Sequence, residues 1–154
     1  MEYLLQLLQD ISADSSCGNS SRADSCGPAF VKFDWTTGLV IELIQVLGSI
    51  TVPQHTHAIA TVLTPLVSST SFPFDQFEVK QRLIMAIANL KQEQSIDALI
   101  EALAIPEERL RFHLIAALKG INAERCHEAL LAKHQDSALQ GDLAEGIAIA
   151  LSEW

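Results

Sequence analysis

Positive charge is scarce in this chain. Ten Lys and Arg stand against nineteen Asp and Glu, and a net charge of -9 repels nucleic-acid phosphates rather than gathering them. DNA and RNA are therefore not expected partners. Long apolar runs are missing as well: the longest, Leu39 to Ile50, has twelve residues and is interrupted by Glu42, Gln45 and Gly48. A bilayer crossing needs roughly 20, so no membrane partner is expected. Met1 to Ile11 carries Glu2 and Asp10 and lacks the basic start and cleavage site of a secretory signal, which points to the cytoplasm. Cysteine is limited to Cys17, Cys26 and Cys126, an odd number without metal-type spacing. Free thiols are the expectation, although Cys17 and Cys26 are close enough in sequence to close a reversible disulfide loop. No Gly-rich phosphate loop, zinc pattern, nucleophile elbow or interpretable Cys-His pair occurs, so no catalytic residue, metal ligand or cofactor is assigned. A mechanism built on carboxylates brought together only by the fold stays open.

What is present is apolar periodicity. With 49% hydrophobic residues and mean hydropathy of +0.23, the chain has ample material for one packed domain over 1–154. Residues 1–12 read as an N-terminal helix with Tyr3, Leu4, Leu7, Leu8 and Ile11 on one face, and 13–34 as a Ser/Gly-rich loop. From 35 to the end the stripes are helical and no strand alternation competes with them, so the fold is all-α. Leu39, Leu43, Leu47 and Ile50 form one stripe; Ile59, Val62, Leu63 and Leu66 form the next, after a break at Val52, Pro53 and Gln54. His55 and His57 read as a polar turn beyond that break.

Further helices are expected near 76–91, 95–104, 107–121 and 124–134. Pro106 sits in the first turn of the third of these, with Glu107 and Glu108 at its positive end. Asp136 or Ser137 then caps a last helix whose stripe is Leu139, Leu143, Ile147 and Leu151.

Two stretches share one template at a spacing of 31. Val79, Leu83, Ala86, Ile87 and Leu90 fall on Leu110, Leu114, Ala117, Leu118 and Ile121, and Ala98, Leu99 and Ile100 fall on Ala129, Leu130 and Leu131. Periods of this size mark arrays whose units must stack to bury their apolar faces. Leu110-Arg111 with Ala116-Ala117-Leu118 and Ile121, and Val79-Lys80 with Ala86-Ile87 and Leu90, resemble HEAT-like repeats of the short bacterial type seen in phycobilisome (bilin) lyase subunits. The resemblance covers 76–134 closely, 36–67 and 136–154 loosely, and 1–35 not at all. It implies a right-handed superhelical α-solenoid of about three and a half helical hairpins, with first helices convex and second helices lining a concave surface. It also implies, as an alternative to a non-catalytic protein-binding scaffold, adaptor or assembly factor, a lyase subunit handling bilin on phycobiliproteins.

The stripe of 95–104 leaves Asp97 and Glu101 one turn apart on its far side, and Glu128 matches Asp97 one unit on. Under solenoid geometry these form an acidic concave face for a basic protein segment. His127 and His134 fall where the preceding unit has Ile96 and Leu103, so they are polar rings in apolar slots. They belong to the same candidate face, but about two turns, roughly 10 Å, separates them, too far for shared metal ligation. Within Thr36 to Phe74, Glu42 is the sole Asp, Glu, Lys or Arg in 39 residues. That stretch is covered either by residues 1–35 or by a homo- or hetero-oligomer partner, with Leu39, Ile147, Leu151 and Trp154 as the candidate interface residues.

Overall fold

The computed structural model describes residues 3, 6, 7, 9, 10, 37–136 and 140–154, and among these it is all-helical. Leu4, Leu8, Ile11, the 13–34 loop with Cys17 and Cys26, Ser137 and Leu139 lie outside the described residues; residues 3, 6, 7, 9 and 10 are helical. Six helices follow: α1 Thr37–Gly48, α2 Pro53–Leu66, α3 Phe77–Leu90, α4 Ile96–Glu101, α5 Glu108–His134 and α6 Asp142–Ser152. Single 3-10 turns, Glu93–Ser95 and Ala102–Ala104, flank α4.

Each helix sits where its apolar spacing puts it, and the breadth of burial tells its place. In α1 the buried side chains are Val40, Ile44 and Leu47, a narrow stripe at steps of four and three. In α3 burial widens to Val79, Lys80, Leu83, Ile84, Ala86, Ile87 and Leu90, because this helix has α1 and α2 on one side and α5 on the other. Packing continues from α5 to α6, while α2 and α5 both lie against α4. One contiguous core results, with Phe74, Ile44, Leu63, Leu83, Leu99 and Leu103 among its fully buried members.

The boundaries correct several sequence expectations. α2 opens at Pro53, where a missing N–H costs no hydrogen bond, so His55 and His57 are helical rather than in a turn. Pro106 precedes α5 instead of sitting in its first turn: Glu107 has the extended backbone of an N-cap and its carbonyl receives the Arg111 N–H at 3.1 Å. Near 122 the expected break is present inside what is otherwise a 27-residue helix. Asn122 is extended (φ -161°, ψ 99°), and its Oδ1 accepts the Arg125 N–H at 3.2 Å, capping the second half. The last helix begins at Asp142, beyond the Asp136 or Ser137 cap expected from sequence. Gly141 at φ +70° turns the chain into it, a conformation that a side chain would disfavour.

Two cations buried in the core tie consecutive segments together. Lys80 is 8% exposed and donates from Nζ to the carbonyls of Val67 (2.7 Å) and Ser69 (2.8 Å), just past the end of α2. Arg111, one period later and 5% exposed, donates from Nε to the carbonyls of Leu103 (3.2 Å), within the 3-10 turn after α4, and Ile105 (3.0 Å), just past it. A second Arg111 nitrogen reaches the Asp142 carbonyl at 3.3 Å, and a third lies 3.4 Å from Glu145. Carbonyls at helix ends have no partner within their own helix, and a cation there also meets the negative end of the helix dipole. Burial pushes the Lys80 ammonium below the ordinary lysine value, with the nearby Asp75 carboxylate opposing.

Close backbone approach explains two glycines. A Cβ on Gly48 would lie 2.6 Å from the Ala86 Cβ, and one on Gly146 would lie 2.3 Å from the Leu103 carbonyl oxygen. The second contact is with backbone, which cannot rotate away.

Two predictions follow from this packing. Lys80→Met leaves the Val67 and Ser69 carbonyls without their donor and lowers unfolding free energy by about 1–3 kcal/mol in urea titrations; Glu145→Gln, at the exposed end of the Arg111 pair, changes it by less than about 1 kcal/mol. Gly146→Ala destabilises by about 1–3 kcal/mol through the Leu103 clash, whereas Gly120→Ala, with open space at its Cβ, gains up to about 1 kcal/mol in helix propensity.

Candidate functional site

The candidate face is built by α4 and the second half of α5. Ile96, Leu99 and Ile100 point inward, each 3% exposed or less, and this turns Asp97 and Glu101 to solvent. On α5, Cys126 and Leu130 are the buried positions four apart, and Glu124 and Glu128 are exposed on the other side. Asp97, Glu101 and Glu128 therefore all reach water from neighbouring helices.

Part of this acidity is already matched within the chain. Lys133 pairs with Glu101, and Arg125 pairs with Glu93, each linking α5 back to the segment around α4. Glu93 also accepts from Asn122 Nδ2 at 2.8 Å, so the residue that caps the helix break reaches the previous unit as well. Among the described residues Asp97 and Glu128 form no ion pair. Glu124, exposed beside Glu128, forms none either.

The two histidines do not share one environment. Ile96 and Leu103 are 3% and 0% exposed, whereas His127 is half-buried and His134 is exposed, so the corresponding slots in the later unit open to water. His127 stacks on Trp154 with ring centroids 5.7 Å apart and planes 11° from parallel. Lys119 Nζ lies 5.2 Å from the centre of the same indole and also donates to the Glu153 carbonyl. His127 thus anchors the segment after α6. Among the described residues no three His, Cys, Asp or Glu are grouped to hold a metal ion.

The interface residues divide in the same way. Leu39 is 46% exposed, and Leu151 and Trp154 are half-buried against the core. Ile147 is fully buried and belongs to the chain's own interior, because α6 closes on α5 and on the Ala102–Ala104 turn. It is not on offer to a partner.

Polar side chains that the sequence reading did not single out join neighbouring segments at close to the repeat spacing. Thr64 and Ser95 hydroxyls meet at 2.9 Å across a separation of 31, and Gln81 Nε2 meets His113 Nε2 at 2.9 Å across 32. Gln94 Nε2 reaches Thr61 at 3.2 Å across 33. The signal that could have found them is a polar residue recurring one period from another polar residue beside an apolar stripe.

Chemically, the surface offers charge and hydrogen bonds. An open groove of about 300 Å³ lies along Ala60, Thr61, Thr64, Pro65 and Gln94, between α2 and the start of the α4 segment. A second, of about 190 Å³, runs between α1 and α3 beside Gly48, Arg82 and Met85. Cys126 is fully buried and donates its S–H to the Leu118 carbonyl at 3.2 Å. Burial pushes its thiol above the usual value, which makes it a poor nucleophile. Among the described residues no helix is long and apolar enough to cross a membrane. No protein-family model, curated protein or solved structure matches the chain.

The Trp154 contact is directly measurable. In a Trp35→Phe background, His127→Ala shifts the Trp154 emission maximum to longer wavelength and lowers unfolding free energy by about 0.5–1.5 kcal/mol; an unshifted spectrum rules out the stack.

Proposed function

We propose that the chain is a HEAT-like α-solenoid acting as a non-catalytic protein-binding scaffold, with the acidic side of its second helices receiving a basic segment of a protein partner. The observation that carries this reading is the agreement between the sequence period and the spatial one. Side-chain bonds join residues 31, 32 and 33 apart in sequence, from α2 to the α4 segment and from α3 to α5. Arg125–Glu93 and Lys133–Glu101, both 32 apart, carry the same register into the second half of α5. The separations of such inter-segment bonds spread from 29 to 37 and gather at 31 to 33, near the sequence period, which supports units that touch their neighbours at similar places.

Within that array the acids are distributed to favour a basic ligand. Asp97 and Glu128 lie one unit apart without an ion-pair partner among the described residues, and Glu101 lies one turn from Asp97. The net charge of -9 adds long-range attraction for cationic segments. No cofactor is needed for this role.

The test is charge reversal. Asp97→Lys, Glu101→Lys and Glu128→Lys together weaken binding of a Lys/Arg-rich peptide, and of each protein captured by the wild-type chain, by about tenfold or more at low salt. The difference shrinks as ionic strength rises. Binding unchanged for every ligand, with helicity intact by circular dichroism, removes the acidic face from the reading. The bilin-lyase alternative is checked by co-production with bilin and a phycobiliprotein subunit; covalent colour that survives denaturation would replace the scaffold role.

A further inference from the structure

We propose that the outer edge of α1 is a repeat-type docking face and that its occupant is the amphipathic helix at the chain's own N-terminus. This rests on the repeat reading of the array. Superposing α1 on α3 so that Val40, Ile44 and Leu47 fall on Lys80, Ile84 and Ile87 aligns buried with buried. The same superposition puts Glu42, Gln45 and Ser49 on Arg82, Met85 and Asn89, exposed in both helices. Leu39, Leu43 and Val46 then coincide with Val79, Leu83 and Ala86.

In α3 those three positions are 0%, 0% and 4% exposed, because they face the preceding unit; Ala86 is the residue against which Gly48 of α1 packs. On α1, Leu39 is 46% and Val46 51% exposed, and Leu43 is half-buried. An apolar face made for a helix is thus left open at this end of the array. Burying an apolar edge of this kind is worth about 25 cal/mol for each Å² removed from water.

The helix that fits is in the same chain. Tyr3 and Leu7, one turn apart in a helical segment, are 77% exposed and half-exposed, so a second apolar stripe is also short of cover. Residues 1–10 carry only Glu2 and Asp10 as charges, at the ends of the stripe, and α1 carries only Glu42, so neither surface presents a charge row to the other. The tether between residues 10 and 37 can extend far beyond the roughly 18 Å length of a twelve-residue helix. A segment of the same chain meets this face at a concentration set by the connection and not by dilution. A second copy at micromolar concentration competes poorly with that.

The experiment uses the full chain with Leu7→Asp, Val46→Asp and the double variant. Thermal midpoints, light scattering and small-angle X-ray scattering are recorded on the same samples. The docked helix predicts a monomer throughout, a midpoint lowered by several degrees in each single variant, and a double variant no lower than the worse single. A Leu7→Asp midpoint equal to wild type, or losses that simply add, overturns the proposal. A wild-type dimer that Val46→Asp splits and Leu7→Asp leaves intact overturns it in favour of a second copy on that face. A scattering profile that keeps the curved array while coupling is absent sinks the docking alone; a profile that does not fit an array sinks the repeat reading beneath it.

Discussion

The structure depends on how the chain treats the carbonyls at the ends of α2 and of the α4 segment. A helix that ends inside a packed core exposes acceptors that water cannot reach, and an unpaired buried acceptor costs about 1–3 kcal/mol. Lys80 and Arg111 solve this at equivalent places, each reaching back from the start of the following helix to two carbonyls of the segment before it. Their long apolar stems pack in the core while the charged heads meet oxygen. Because each cation bridges the end of one helix and the body of the next, it also fixes the register in which those helices pack. Arg111 extends the tie to α6 through the Asp142 carbonyl, which lysine with its single nitrogen could not do in the same geometry.

Most of the helical skeleton was legible because burial in this fold is periodic. Val79, Leu83, Ile87 and Leu90 announce α3, and their counterparts Leu110, Leu114 and Leu118 announce the first half of α5. The break at Asn122 was legible too, but only from the 31-residue alignment, since Leu114, Leu118, Cys126 and Leu130 keep one four-residue stripe across it. Less legible were features decided by single backbone angles or by tertiary approach. Gly141 moves the start of α6 past the polar residues that sequence preference favours as caps. Ile147 reads as part of an edge stripe in one dimension and is enclosed only because Gly146 lets α6 approach the Leu103 backbone.

The candidate site was legible in outline and not in its pairing. Helical phase places Asp97, Glu101 and Glu128 outward, and they are outward. Phase cannot show that Lys133 and Arg125 come from the next unit to engage Glu101 and Glu93, because that requires knowing which helices become neighbours. These exposed pairs contribute little stability, about 0–1 kcal/mol each. Their effect is on charge distribution: they neutralise Glu93 and Glu101 and leave Asp97, Glu124 and Glu128 exposed without an ion pair among the described residues. The histidines illustrate the same point, since His127 gains a ring to stack on and His134 gains only water.

The outer helices α1 and α6 are finished by different physical means. At α6 the approach is close and the contacts are specific: Gly146 against backbone, Ala150 and Ile147 in the core, Trp154 laid between His127 and Lys119. Such contacts need small residues and ring planes in fixed places, and they leave Leu143, Ile149, Leu151 and Trp154 partly buried against the core. At α1 the side that meets α3 is just as tightly packed, with Gly48 on Ala86, but the opposite side carries Leu39 and Val46 where interior helices carry buried residues. A ridge that faces water is more polar than this, as the exposed ridge of α3 carries Arg82 and Asn89 beside Met85. The near absence of charge from 36 to 74 is the same statement made by composition. Both observations describe a helix with apolar side chains on two sides, and that is the property by which α1 differs from α6.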